Sequence, residues 1–123
     1  MGAFQPPGWP TVAPRLFTDD VAGLAAFMRA VFGAEGDVHG DRPAEMRLGD
    51  SVILVSGGGG IRDPQPGFLY VYVANADAAY ARAMAAGSVL IEAPTDTPYG
   101  DRRATVRDPW GNTWQIATWR GED

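Results

Sequence analysis

Cysteine is absent from the chain, and histidine occurs once, as His39. The first absence removes both a disulfide framework and a thiol nucleophile. Together the two leave no zinc site built of His and Cys. No run approaches the roughly 20 apolar residues that a bilayer-spanning helix needs. The opening Met1-Gly2-Ala3-Phe4-Gln5-Pro6-Pro7-Gly8-Trp9-Pro10 has neither the basic region nor the apolar stretch of a signal peptide. Nor does Met1-Gly2 carry the Ser or Thr of a myristoylation signal. A cytoplasmic protein with no membrane partner is expected. Positive charge is also scarce: 10 basic against 15 acidic residues give a formal net charge of −5. That balance argues against nucleic acid as a partner and suits a small, even cationic, ligand. There is no Gly-x-Ser-x-Gly, and Gly57–Gly60 lacks the Lys-Ser/Thr that a phosphate loop requires.

What is present is frequent punctuation. Sixteen Gly and ten Pro cut 123 residues into short elements, read as one domain over 1–123. Val12–Thr18 is a strand candidate, and Thr18-Asp19-Asp20 supplies caps for a helix. Val21, Leu24, Ala25, Met28, Val31 and Phe32 recur at helical spacing, and Gly33 suits a left-handed C-terminal residue. Extended segments are predicted at Gly36–His39, Ala44–Leu48 and Ser51–Ser56, the last two joined by a tight Gly49-Asp50 turn. A connection over 57–66 follows. The second half repeats the order: strand Phe68–Val73, a helix capped by Asn75 or Asp77 and closed by Gly87, then strands Val89–Glu92, Arg103–Arg107 and Thr113–Thr118. Two modules emerge, about 11–57 and 67–119, each strand-helix-strand-strand-strand.

The last two strands are joined by Asp108-Pro109-Trp110-Gly111-Asn112. Asp starts such a turn by side-chain hydrogen bonding, Pro sets φ, and Gly and Asn tolerate positive φ. This hairpin resembles the closing hairpin of the vicinal-oxygen-chelate superfamily, which holds glyoxalase I, extradiol dioxygenases, fosfomycin-resistance proteins and bleomycin-binding proteins. Pro14-Arg15-Leu16-Phe17-Thr18-Asp19-Asp20 and Phe32-Gly33-Ala34 are similar to the openings and helix ends of its PhnB-like or glyoxalase-like branch. The resemblance implies an α+β fold in which two tandem βαβββ modules form a curved mixed sheet around a cavity, helices outside, commonly as a homodimer.

Metal-using members of that superfamily place one ligand on the first and last strand of each module. Carried over by position, these fall near Ala13, at Leu54 or Val55, at Phe68 and at Gln115. None is His, Asp or Glu, and Gln115 stands where the enzymes have Glu. No metal and no cofactor are expected, and His39 is read as a loop residue. Strand alternation then sorts the cavity lining: Ala13, Arg15 and Phe17; Phe68, Tyr70 and Tyr72; Arg103, Thr105 and Arg107; Thr113, Gln115 and Ala117. Trp114 and Ile116 face the helix layer. The candidate ligand-binding residues are Arg15, Phe17, Phe68, Tyr70, Tyr72, Arg103, Thr105, Gln115 and, in the turn, Trp110. Glu92 and Asp96 show no neighbouring partner, and no catalytic residue is assigned. Two readings follow: a metal-free protein binding a drug-like or aromatic small molecule, or a glyoxalase-like lyase/isomerase or dioxygenase-type enzyme.

Overall fold

The computed structural model describes residues 4–58 and 65–121. The flexible connection read over 57–66 therefore lies largely outside the described residues. Contacts divide the chain into two units, Met1–Arg29 with Gly33–Gln65, and Ala30–Phe32 with Pro66–Asp123.

The first unit runs β1 (Arg15–Phe17), α1 (Val21–Phe32), β2 (Ala44–Leu48) and β3 (Ser51–Ser56). Its sheet has the order β1-β3-β2, with β1 parallel to β3 and β2 antiparallel to it. Helix α1 begins where the Asp20 carboxylate accepts from Gly23 N at 2.9 Å. It ends at Gly33, whose φ of 71° lets the amides of Gly33 and Ala34 reach back to Arg29 O and Met28 O. Leu24, Ala25 and Met28 are fully buried, as are Met46, Val52 and Val55 of the strands. In β1 only the central Leu16 is buried, so the strand is shorter than the Val12–Thr18 expected. The extended segment predicted at Gly36–His39 does not form. A single bridge between Glu35 and Arg47 stands in its place, because Gly36, Gly40 and Pro43 break the run.

The second unit runs β4 (Phe68–Tyr72), α2 (Ala76–Ala85), β5 (Val89–Asp96), β6 (Asp101–Arg107) and β7 (Thr113–Trp119), with sheet order β4-β7-β6-β5. Of the two predicted caps, Asn75 is the one used: its side chain accepts from Ala78 N. Asp77 instead pairs with Arg102. Ala76, Ala79 and Ala83 form the buried stripe of α2, small enough for the helix to lie close against the sheet. The described residues form two helices and seven strands in two mixed sheets that do not close, the α+β two-module architecture expected.

The hairpin turn is held by one carboxylate. Asp108 accepts from the amides of Trp110 and Asn112, from the Asn112 side-chain amide and from the Trp114 indole, at 2.8–3.0 Å. Gly111 alone takes positive φ, 92°. Asn112 contributes through its side chain, which also accepts from Gly67 N at 2.8 Å.

Candidate functional site

Register in the second sheet decides which side chains meet. Tyr70 lies opposite Gln115, and Gln115 opposite Thr105; Tyr72 lies opposite Ala117, and Ala117 opposite Arg103; Phe68 lies opposite Thr113, and Thr113 opposite Arg107. The intervening residues Val71, Trp114, Ile116, Ala104 and Val106 are buried. Their partners in the alternation therefore share the sheet face away from α2. Phe68, Tyr70 and Tyr72 are 69%, 38% and 59% exposed there, with the Tyr70 and Tyr72 ring centroids 5.4 Å apart. Six of the nine sequence candidates are thus brought together on this face: Phe68, Tyr70, Tyr72, Arg103, Thr105 and Gln115. Arg15 and Phe17 sit on β1 in the first unit. Trp110 sits in the turn, its amide bound to Asp108.

A hydrogen-bond network crosses the face. The hydroxyls of Tyr70 and Tyr72 both donate to Asp101 Oδ2, at 2.5 and 2.9 Å. They reach two strands across because Ala117, between them and β6, is small; a longer side chain there would stand in the path. Glu92 takes the Arg103 guanidinium side-on, Nε to Oε1 at 2.9 Å and Nη2 to Oε2 at 3.0 Å. Glu92 Oε1 also accepts from Thr105 Oγ1 at 3.0 Å, and Arg103 Nη1 donates to the Tyr99 hydroxyl at 2.6 Å.

The titration of these groups follows from their partners. Tyr70 is pushed up by partial burial of its hydroxyl and by its bond to Asp101. Tyr72 is raised chiefly by its own bond to Asp101. Arg103 holds the Glu92 carboxyl below its ordinary value against an opposing desolvation, and Glu92 in turn raises Arg103. The phenols are therefore neutral donors, and the Glu92–Arg103 pair is fully ionised, at neutral pH.

Three readings of the sequence are corrected here. Glu92 is not without a partner, and Asp96 accepts from Arg102 and Arg120. Asp101, expected with Asp96 near the mouth of the pocket as a residue for cationic ligands, is instead 1% exposed and bound by the two phenols, and neither it nor Tyr99 is among the candidate ligand-binding residues. The one available signal was the every-second-residue spacing of Asp101, Arg103 and Thr105, which places all three on one strand face.

The positions that the resemblance assigns to metal ligands carry Ala13, Leu54 or Val55, Phe68 and Gln115. Aliphatic and aromatic side chains and one amide do not supply the charged or imidazole donors a divalent transition metal requires. Among the described residues no three His, Cys, Asp or Glu side chains group in a way that could hold a metal ion. His39 lies in the loop before β2, next to Arg42. The residues present do not fit such an ion.

A family model described as Glyoxalase/Bleomycin resistance protein/Dioxygenase superfamily matches residues 10–116. An uncharacterized protein of Mycobacterium bovis is 30% identical over 124 residues, with 87% of this chain and 82% of that protein covered. An uncharacterized protein of Mycobacterium tuberculosis H37Rv is also 30% identical, at 87% and 73% coverage. Among solved structures, TioX from Micromonospora sp. ML1 matches with a TM-score of 0.74 at 22% identity, over 89% of this chain and 98% of that one. Lactoylglutathione lyase from Agrobacterium tumefaciens matches with a TM-score of 0.67 at 21% identity, over 89% and 94%. At these identities the solved structures establish the fold. The family model spans most of the chain, and the chain therefore belongs to the glyoxalase/bleomycin resistance protein/dioxygenase superfamily.

Proposed function

We propose that the protein binds a small aromatic molecule, a drug-like compound or a metabolite, on the open face of the β4-β7-β6-β5 sheet and does so without a metal ion. The observation that carries this reading is the exposed row Phe68, Tyr70 and Tyr72, set beside polar groups already matched to one another. Rigid rings offer stacking area with few torsions to freeze. The alternative, a glyoxalase-like lyase/isomerase or dioxygenase-type enzyme, needs a group that exchanges protons near neutral pH. Tyr70 and Tyr72 are shifted away from that range, which weakens a metal-free version of it. A homodimer is part of the proposal, and sedimentation giving one 13.1 kDa chain at micromolar concentration would remove that part.

The test is a thermal-shift screen of aromatic compounds. A ligand at 100 times its dissociation constant raises stability by about 2.7 kcal/mol. Phe68→Ala or Tyr70→Ala should weaken a hit by about 1–3 kcal/mol. If a broad panel leaves Tm unchanged while turnover of an oxoaldehyde–thiol adduct is measurable, the enzyme reading replaces this one.

A further inference from the structure

The two ends of the face differ. Towards Asp101 the phenols, the guanidinium and the threonine hydroxyl are occupied: Tyr70 and Tyr72 by Asp101, Arg103 by Glu92 and Tyr99, Thr105 by Glu92. Arg103, the arginine that looked available for an anion in the sequence, has Nε and Nη2 turned into Glu92 and Nη1 into Tyr99. A ligand carboxylate would have to displace a bidentate partner to reach it. Towards the Asp108 turn the pattern reverses. Among the described residues, the side chains of Gln115, Thr113 and Arg107 have no hydrogen-bond or ion-pair partner, and Phe68 is the most exposed of the three rings. Phe68, Thr113 and Arg107 are directly opposite one another on adjacent strands. At about 4.8 Å per strand, roughly 10 Å separates the backbone under the ring from that under the guanidinium. That is the span of a two-ring aromatic system ending in an acid group, with the Gln115 amide one pleat along.

We infer that Arg107 is the specificity-determining residue of this face, and that the ligand is a planar aromatic carrying a carboxylate or similar anion, its rings on Phe68 and its charge at Arg107. The inference rests on the binding function proposed above and adds the ligand's charge class. Glu92 does not oppose an anion here, because Arg103 neutralises it. Arg107 is exposed and at the strand end, so its fork is free to take two oxygens. Gln115, with both a donor and an acceptor open, can bind a ring heteroatom or substituent without adding charge.

The test uses naphthoate, naphthol and naphthylmethylamine, which share a ring system and differ in charge, followed by amide chemical-shift titration of the whole chain. Naphthoate should bind most tightly and shift the amides of Phe68, Gln115 and Arg107. Arg107→Gln should weaken naphthoate about tenfold and leave naphthol unchanged, while Arg107→Lys should recover part of the loss. If the amine or the neutral phenol binds wild type as well as naphthoate does, or Arg107→Gln leaves naphthoate affinity intact, the inference is overturned while the binding function stands. If none of the three shifts the β4 and β7 amides, the binding function fails, and the inference with it.

Discussion

The two modules start from the same plan and finish differently. In both, the leading strand runs parallel to the closing strand, and the strand before it pairs antiparallel: β1 with β3 and β2, β4 with β7 and β6. The second module adds β5, eight residues long, along β6. The first has only the Glu35–Arg47 bridge at the equivalent place. Composition explains the difference. Val89-Leu90-Ile91-Glu92 favours a strand, and the Glu92–Arg103 pair ties it across to β6. Gly36-Asp37-Val38-His39-Gly40 has two glycines and little β propensity. The extra strand is also what delivers Glu92 to the candidate site, so the polar network belongs to one module alone.

The hairpin turns make the comparison sharpest. Asp108 is 3% exposed and accepts four hydrogen bonds, one from the fully buried Trp114. Asp50, in the turn of the first module, is exposed. Asp108→Ala should lower unfolding free energy by about 3 kcal/mol or more, since it leaves several buried donors unpaired. Asp50→Ala should stay within about 0.5 kcal/mol. Comparable losses in denaturant titrations would show the two turns to be equivalent, contrary to their geometry.

A smaller effect probes why the first module lacks a fourth strand. Gly36 has φ 154°, and an added Cβ would collide with the Glu45 carbonyl, whereas nothing lies near Gly40. Gly36→Ala should destabilise by about 1–3 kcal/mol. Gly40→Ala should be neutral or gain up to about 1 kcal/mol through the unfolded chain. Equal responses in thermal melts would mean the segment is simply loose, not held against β2.

The smallest effect concerns the pair found only in the second module. Both partners are partly exposed, so Glu92→Gln should remove about 1 kcal/mol or less. Because folding lowers the Glu92 pKa below its ordinary 4.5, the folded state binds fewer protons there. The contribution is thus complete above about pH 4.5 and disappears as pH falls through the lowered folded value. Wild type and Glu92→Gln should therefore differ at neutral pH and converge in acid. A gap that persists unchanged at pH 3 would mean Glu92 acts through packing, not charge.

Local chemistry alone determined much of this protein. The Asp20 and Asn75 caps, the αL Gly33, the Gly49-Asp50 turn, the bounds of α1, β2 and β3, and the burial of Trp114 follow from interactions within a few residues or from strand alternation. So does the grouping of Phe68, Tyr70 and Tyr72 on one face. Tertiary structure decided which charges are spent and which are free. Glu92 meets Arg103 eleven positions away only because β5 is irregular in its pairing with β6 between Leu90 and Thr95. Asp101 collects two phenols from a strand two places over only because Ala117 leaves the way open. Cross-strand register brings residues remote in sequence within about 5 Å of each other, and a single irregular pairing changes those neighbours. Neither arginine's availability can be read along one strand: among the described residues, Arg103 is occupied and the Arg107 side chain has no partner because of what pairing places beside them.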